Sequence, residues 1–203
     1  MATGLTITDH PSPNCTLRRD GARADHVVLH YTAMETAADA IDRLCDAQAE
    51  VSAHYVICER GQVWRLVDED MRAWHAGAGS WRGITDMNSR SIGIELANRG
   101  THPFPEPQMA ALEVLLADIL SRHAIPPQNV IGHSDMAPGR KFDPGPRFDW
   151  ARLARNGLAV WPDGQSGTTA DPARWAEFAR RFGYAVDDSC EAEALAAFRA
   201  RFR

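Results

Sequence analysis

The sequence predicts an α/β domain, a mixed β-sheet flanked by helices, followed by a short helical tail. Three observations lead there. Short apolar runs bounded by turn or polar residues recur at 26–32, 91–98 and 128–133. A stretch with helical periodicity, 107–123, separates the last two. A pair of β-rich runs within 53–70 is divided by a loop containing glycine. Strands alternating with helices are the pattern of a layered α/β domain.

"HVVLHYT" (26–32) is apolar up to His30 and reads as a buried strand. Residues 35–50, "ETAADAIDRLCDAQAE", put Ile41, Leu44 and Cys45 on one helical face. "AHYVICERGQVWRLVDED" (53–70) reads as a hairpin turning at "ERG". In "SIGIELAN" (91–98), Ile92, Ile94 and Leu96 share one face, and Gly93, Glu95 and Ala97 share the other. "PQMAALEVLLADILSRH" (107–123) carries the stripe Met109, Leu112, Leu115, Leu116 and Ile119, with Pro107 suited to a first helical turn. "QNVIGH" (128–133) is a short strand ending at His133.

These elements fill residues 1–156. "GLAVWPDGQSGTTAD" (157–171) reads as a linker, and 172–203 as a tail of two short helices with Trp175, Phe178, Leu195, Phe198 and Phe202 inward. So few residues make a poor independent core, so the tail is expected either to dock on the main domain or to be an incomplete module.

The chain's 203 residues are 44% hydrophobic and 24% charged, as in soluble globular proteins. A net charge of −5 and no basic tract exclude a phosphate-tracking nucleic-acid surface. No apolar run approaches the roughly 20 residues of a membrane span. The start, "MATGLTITDHPSPN", lacks the charged and apolar regions of a secretory signal. Cys15, Cys45, Cys58 and Cys190 are scattered without a CxxC pair and read as reduced thiols, so a cytoplasmic location is expected.

The chemistry concentrates in "HSDMAPGRKFDPGP" (133–146), where Pro138, Gly139, Pro144, Gly145 and Pro146 are expected to rule out a regular helix or a central strand. "VVLHYT" and "VIGHSD" have one form: each apolar strand delivers a histidine where it leaves the sheet, and α/β ligand sites collect at strand ends. Asp143 precedes a proline, which biases it to extended backbone. Lys141 and Asp143 then point one way and Phe142 the other. Two imidazoles and a carboxylate suit catalytic zinc, with a position left for water. His30, His133 and Asp143 are the candidate ligands, although spacing alone leaves His54, His75, His102 and Asp135 open. Glu95, between Gly93 and Ala97 on its strand face, is the candidate proton carrier, with room beside it for substrate.

"VVLHYT", "VSAHYVI", "WHAG", "NSRSIGIELAN" and "GHSDMAPGRKFDPGP", in this order over residues 25–150, resemble the type 2 zinc N-acetylmuramoyl-L-alanine amidases, the group of the AmpD and AmiD enzymes. The resemblance implies a mixed sheet flanked by helices and one Zn²⁺. It implies cleavage of the amide between the lactyl group of N-acetylmuramic acid, or its 1,6-anhydro form, and L-alanine of the peptidoglycan stem peptide. It assigns the metal to His30, His133 and Asp143 and the catalytic roles to Glu95 and Lys141. In the expected mechanism Glu95 moves the proton of the attacking water to the leaving amine, and Lys141 helps to stabilise the oxyanion. Asp135 is left for a supporting or turn role.

The loop "AWHAGAGSWRGITDMNSRS" (73–91) is expected to line the cleft, with Arg82 as a substrate contact and Trp74 in the core; the resemblance adds His75, Trp81 and Asn88 as substrate contacts. Trp81 would stack on a sugar and Arg82 meet a stem-peptide carboxylate. Family members that prefer anhydro-muropeptides often carry arginine where this chain has Asp86. The tail from Trp175 resembles the start of a helical peptidoglycan-binding module, and a chain ending near Pro162 is expected to keep its chemistry. The competing reading is a peptidoglycan recognition protein that binds muropeptides without cleaving them. A zinc peptidase is disfavoured by the absence of HExxH.

Overall fold

A computed structural model describes residues 4–162, 171–187 and 189–203. Its strands are β1 (Ile7–Asp9), β2 (Cys15–Leu17), β3 (His26–Tyr31), β4 (Tyr55–Ile57), β5 (Val63–Arg65), β6 (Met71–Ala73), β7 (Ser91–Leu96) and β8 (Val130–Gly132). Its helices are α1 (Ala37–Cys45), α2 (Met87–Arg90), α3 (Glu106–His123), α4 (His133–Met136), α5 (Trp150–Arg155), α6 (Trp175–Phe182) and α7 (Glu191–Arg201). Six strands form the main sheet in the order β1-β5-β4-β7-β3-β8. β4, β7, β3 and β8 run parallel, whereas the β4–β5 pair is the expected antiparallel hairpin. The mixed α/β fold read from the sequence is the fold observed.

The alternation in β7 decides which side of the sheet does what. Ile92, Ile94 and Leu96 face a core completed by Val27, Leu29, Tyr55, Ile57 and Val130 from neighbouring strands and by the α3 stripe Met109, Leu112, Leu115, Leu116 and Ile119. The stripe falls where the 3.6-residue period puts it, and Pro107 lies in the first turn of α3. The opposite face carries Val28 and Ile131 into a second core shared with α4, α6 and α7, and His30 and Glu95 into a cleft. α1 starts at Thr36, whose side chain and that of Asp39 cap each other's backbone N–H.

The tail differs from expectation in which residues turn inward. Ala179, Ala194 and Ala197 are buried, Phe178 is exposed, and Trp175, Phe182, Phe198 and Phe202 form a half-buried aromatic layer outside them. Small residues let α7 approach α4 closely, which the aromatic face cannot do. The 157–171 segment is also not all linker: Leu158 and Ala159 are buried in the α3-side core. Residues 163–170 of it lie outside the described residues. Among the described residues no helix is long and apolar enough to cross a membrane.

Candidate active site

Parallel pairing aligns the site. His30 in β3 is in register with Glu95 in β7, and Leu29 with Gly132, so His133 emerges beside His30 at the carboxyl ends of three adjacent strands. The chain then makes the single turn α4 and returns through a closed loop. Ala137 N–H donates to the His133 carbonyl (3.0 Å), Lys141 N–H to the Ala137 carbonyl (3.0 Å) and Ser134 N–H to the Asp143 carbonyl (2.9 Å). Positive φ at Gly139 and Gly145 permits the reversals. Asp143 is thereby returned to His133, while Phe142 points to solvent, as alternation requires.

His30 Nδ1, His133 Nδ1 and Asp143 Oδ2 lie 2.9–3.0 Å from one another. All three residues are buried. Donor accounting shows what this triangle holds. His133 Nε2 faces the Ala76 carbonyl at 2.8 Å, so that nitrogen carries the proton. Ser91 Oγ donates to the Met87 carbonyl (2.5 Å) and so accepts from His75 Nε2 (3.3 Å). His75 Nδ1 is then an acceptor, and His30 Nε2 donates to it at 3.0 Å. Both Nδ1 lone pairs and a carboxylate oxygen are left pointing at one another, a set that fits a cation. Burial, reinforced by the neighbouring His133, holds the His30 imidazole down at about 4. Burial pushes His75 well below its ordinary value. Both rings are therefore neutral, as metal ligation and ligand support require. The residues are compatible with a metal ion.

A cavity of about 480 Å³ opens beside this triangle, lined by Glu95 and Lys141 among others. Glu95 Oε2 is buried without a hydrogen-bond partner among the described residues. Burial first, and the negative Asp143 second, push its carboxyl up to about 8, with Lys141 opposing. Lys141 is half-buried at the cavity wall and forms no salt bridge among the described residues.

Residues 20–146 match the family model for N-acetylmuramoyl-L-alanine amidases. The chain belongs to this family. The AmiD amidase of Escherichia coli (strain K12) is 40% identical over 186 residues, covering 79% of this chain and 66% of AmiD. The AmpD amidase of Citrobacter freundii is 41% identical over 107 residues, covering 53% of this chain and 57% of AmpD. This chain therefore spans just under two thirds of one curated relative and over half of the other. The solved E. coli AmiD complex with anhydro-N-acetylmuramic acid-L-Ala-D-γ-Glu-L-Lys superposes with a TM-score of 0.82 at 37% identity, covering 93% of this chain and 84% of that one. AmpDh3 of Pseudomonas aeruginosa with an anhydromuramic pentapeptide gives 0.79 at 34% identity, with coverages of 93% and 86%.

Within this amidase-family fold, the expected substrate contacts divide. His75 reaches the cleft but is occupied by His30 and Ser91, so it braces His30. Asn88 is buried, and its Oδ1 accepts from His75 N–H (3.0 Å) and Ala76 N–H (2.7 Å). Through these bonds it shapes the segment carrying His75. Trp81 is a correction: it is 0% exposed and packed edge-on against Tyr184 and Phe182, where no sugar can stack. Arg82 is another, because its guanidinium donates to the Phe182 carbonyl and Asn129 Oδ1, tying down the tail away from the cleft. Gly93 and Ala97 do not leave space for substrate either. A Cβ on Gly93 would lie 2.4 Å from the His75 ring, and Ala97 packs against Ala37 and Cys58. Asp86 caps α2 and pairs with Arg72 at 3.1 Å.

The sequence reading missed Trp74, Arg43, Tyr31 and Arg140 as cavity-lining residues. Trp74 adjoins His75 in a loop, and strand alternation does not tell which of two neighbours in a loop faces a cleft. Arg140 spans the mouth by donating to the Ala76 (2.7 Å) and Ala78 carbonyls.

Proposed function

We propose that the chain is a zinc hydrolase that cleaves the amide joining the lactyl group of N-acetylmuramic acid, or its 1,6-anhydro form, to L-alanine of peptidoglycan stem peptides, in cell-wall turnover or recycling. The observation that carries the reading is the acceptor triangle of His30, His133 and Asp143 beside an unpartnered Glu95 carboxyl in one cavity. Muropeptide complexes of the AmiD and AmpDh3 relatives support the substrate class.

His30, His133 and Asp143 would hold the ion. A Zn²⁺ bound there supplies a Lewis acid that lowers the pKa of a bound water to about 7. The histidine-rich set with one carboxylate favours zinc over calcium or magnesium, which prefer oxygen donors. Asp143 also offsets cationic charge in the cleft. Glu95 faces the same cavity with an unpartnered carboxyl oxygen, which suits it to take a proton from water and give one to the leaving amine. Lys141 brings a positive charge to the cavity wall, where it stabilises the oxyanion as the amide carbonyl is attacked. The four free cysteines fit a reducing, cytoplasmic compartment.

The reading is tested by mass spectrometry of a defined anhydro-N-acetylmuramyl tripeptide after incubation with the zinc-loaded chain. Intact sugar and a free peptide beginning with L-alanine are the expected products. Tight binding with no cleavage would make the chain a recognition protein instead.

A further inference from the structure

The candidate ligand set lies within residues 30–143, but one brace on it comes from the far end of the chain. Asp135, two residues after His133, is 1% exposed. Its Oδ2 accepts from Gly132 N–H at 2.8 Å, closing the turn that delivers His133. That same oxygen accepts from Arg201 Nη1 at 2.5 Å, and Oδ1 accepts the Tyr184 hydroxyl. Arg201 is itself 3% exposed. Its Nη2 donates to the Val130 carbonyl at 3.1 Å, and its guanidinium stacks on Trp150 with its carbon 3.9 Å from the ring centroid. A residue of α7 thus grips both ends of the β8–α4 junction. The other end of the loop is pressed as well: a Cβ on Gly139 would come within 2.8 Å of Glu193 Cγ. Met136 in α4 accepts Ser80 N–H at 2.7 Å, and Trp81 beside it bridges to Tyr184.

We infer that Arg201, with Tyr184, is a positioning residue for the metal site: through Asp135 the tail fixes the Gly132–His133 turn, and at Glu193 it packs on the Lys141 loop beside Gly139. The inference rests on the proposed role of His133 as a ligand. A buried ion pair is a poor device for stability alone, since its desolvation offsets its attraction. What it does supply is a fixed geometry, and outer partners of metal ligands commonly matter to metal affinity or activity by about 10–100-fold. The two-point grip on Asp135 and Val130 uses the planar fork that only arginine offers. Tail residues therefore belong with the catalytic fold and do more than attach a binding module.

The test uses the full chain. Arg201→Met and Tyr184→Phe are compared with the parent and with Arg199→Met, an exposed tail arginine, as control. Amide exchange at Gly132 and His133 is followed by NMR in chelator-treated protein. The zinc dissociation constant is measured by competition with a chromogenic chelator, and kcat and KM are measured at saturating zinc. Because Arg201→Met leaves Asp135 buried and charged, the double variant Asp135→Asn/Arg201→Met is included to keep a folded sample. The expected result is faster exchange confined to the β8–α4 turn, zinc affinity weakened roughly 10–100-fold, kcat lowered and KM little changed. The double variant should regain melting temperature without regaining zinc affinity. Exchange that rises uniformly, or zinc affinity and kcat within twofold of the parent, would overturn the inference and leave Arg201 a stability residue. A parent that binds no zinc, with the local exchange effect still present, would instead refute the metal reading and retain the brace.

Discussion

Replacing Glu95 by glutamine separates its charge from its shape. In the folded, metal-free chain the carboxyl titrates at about 8, against an ordinary value of 4.5, because burial and the adjacent Asp143 disfavour the anion. The folded state therefore prefers the protonated form. Below pH 4.5 both states are protonated and the group costs nothing. As pH rises from 4.5, the unfolded chain ionises while the folded chain does not, so stability is lost progressively until pH passes about 8. At about 1.36 kcal/mol per pH unit, the full window bounds the loss at about 5 kcal/mol. Glutamine does not titrate, so Glu95→Gln should gain on the parent steadily from pH 5 to pH 8. Urea unfolding of chelator-treated parent and variant at four pH values measures the difference. The zinc-loaded variant should bind metal but turn over about 10²–10⁴-fold more slowly, the scale of a general acid–base group. A stability difference that does not change with pH would show that Glu95 is not held neutral in the cleft. Parental turnover would remove its catalytic role.

Lys141→Met should lower kcat by roughly 10²–10³ while sparing KM and zinc content, since deleting one oxyanion-stabilising group has that effect. A raised KM at constant kcat in steady-state assays would make Lys141 a substrate anchor. Gly93→Ala drives a methyl into the His75 ring, so unfolding should show a loss of about 1–3 kcal/mol and chelator competition a weakened zinc affinity. Retention of both would mean that His75 is free to shift. Truncation near Pro162 was expected from sequence to spare the chemistry. With Trp81, Tyr184 and Arg201 interlocked, it should instead cost several kcal/mol out of the 5–15 kcal/mol typical of a domain. An unchanged melting temperature would contradict the shared core.

The candidate ligands were legible because strand ends and a proline-flanked aspartate leave local marks: His30 and His133 end apolar runs, and Asp143 precedes Pro144. Glu95 was legible through period-two alternation, although the reason given for it was wrong, since Gly93 makes room for His75 and not for substrate. β1, β2 and β6 were not legible: they are mostly exposed or half-buried and lack the apolar run that marked the equally short β4 and β8. Trp81 and Arg82 misled because a loop tryptophan looks the same whether it meets a ligand or a helix about a hundred residues later. Their partners Phe182, Gly183 and Tyr184 are long-range neighbours, and no local rule encodes such a contact. Arg201 on Asp135 escaped for the same reason.

The most direct measurement titrates zinc into the chelator-treated chain while following release of the L-alanine-terminated peptide from an anhydro-N-acetylmuramyl tripeptide. Activity should rise linearly from zero and level off at one equivalent in the parent, and stay near zero throughout in His133→Ala and Asp143→Ala. Full turnover before any metal is added, or an unchanged titration in either variant, would contradict the site as built from His30, His133 and Asp143.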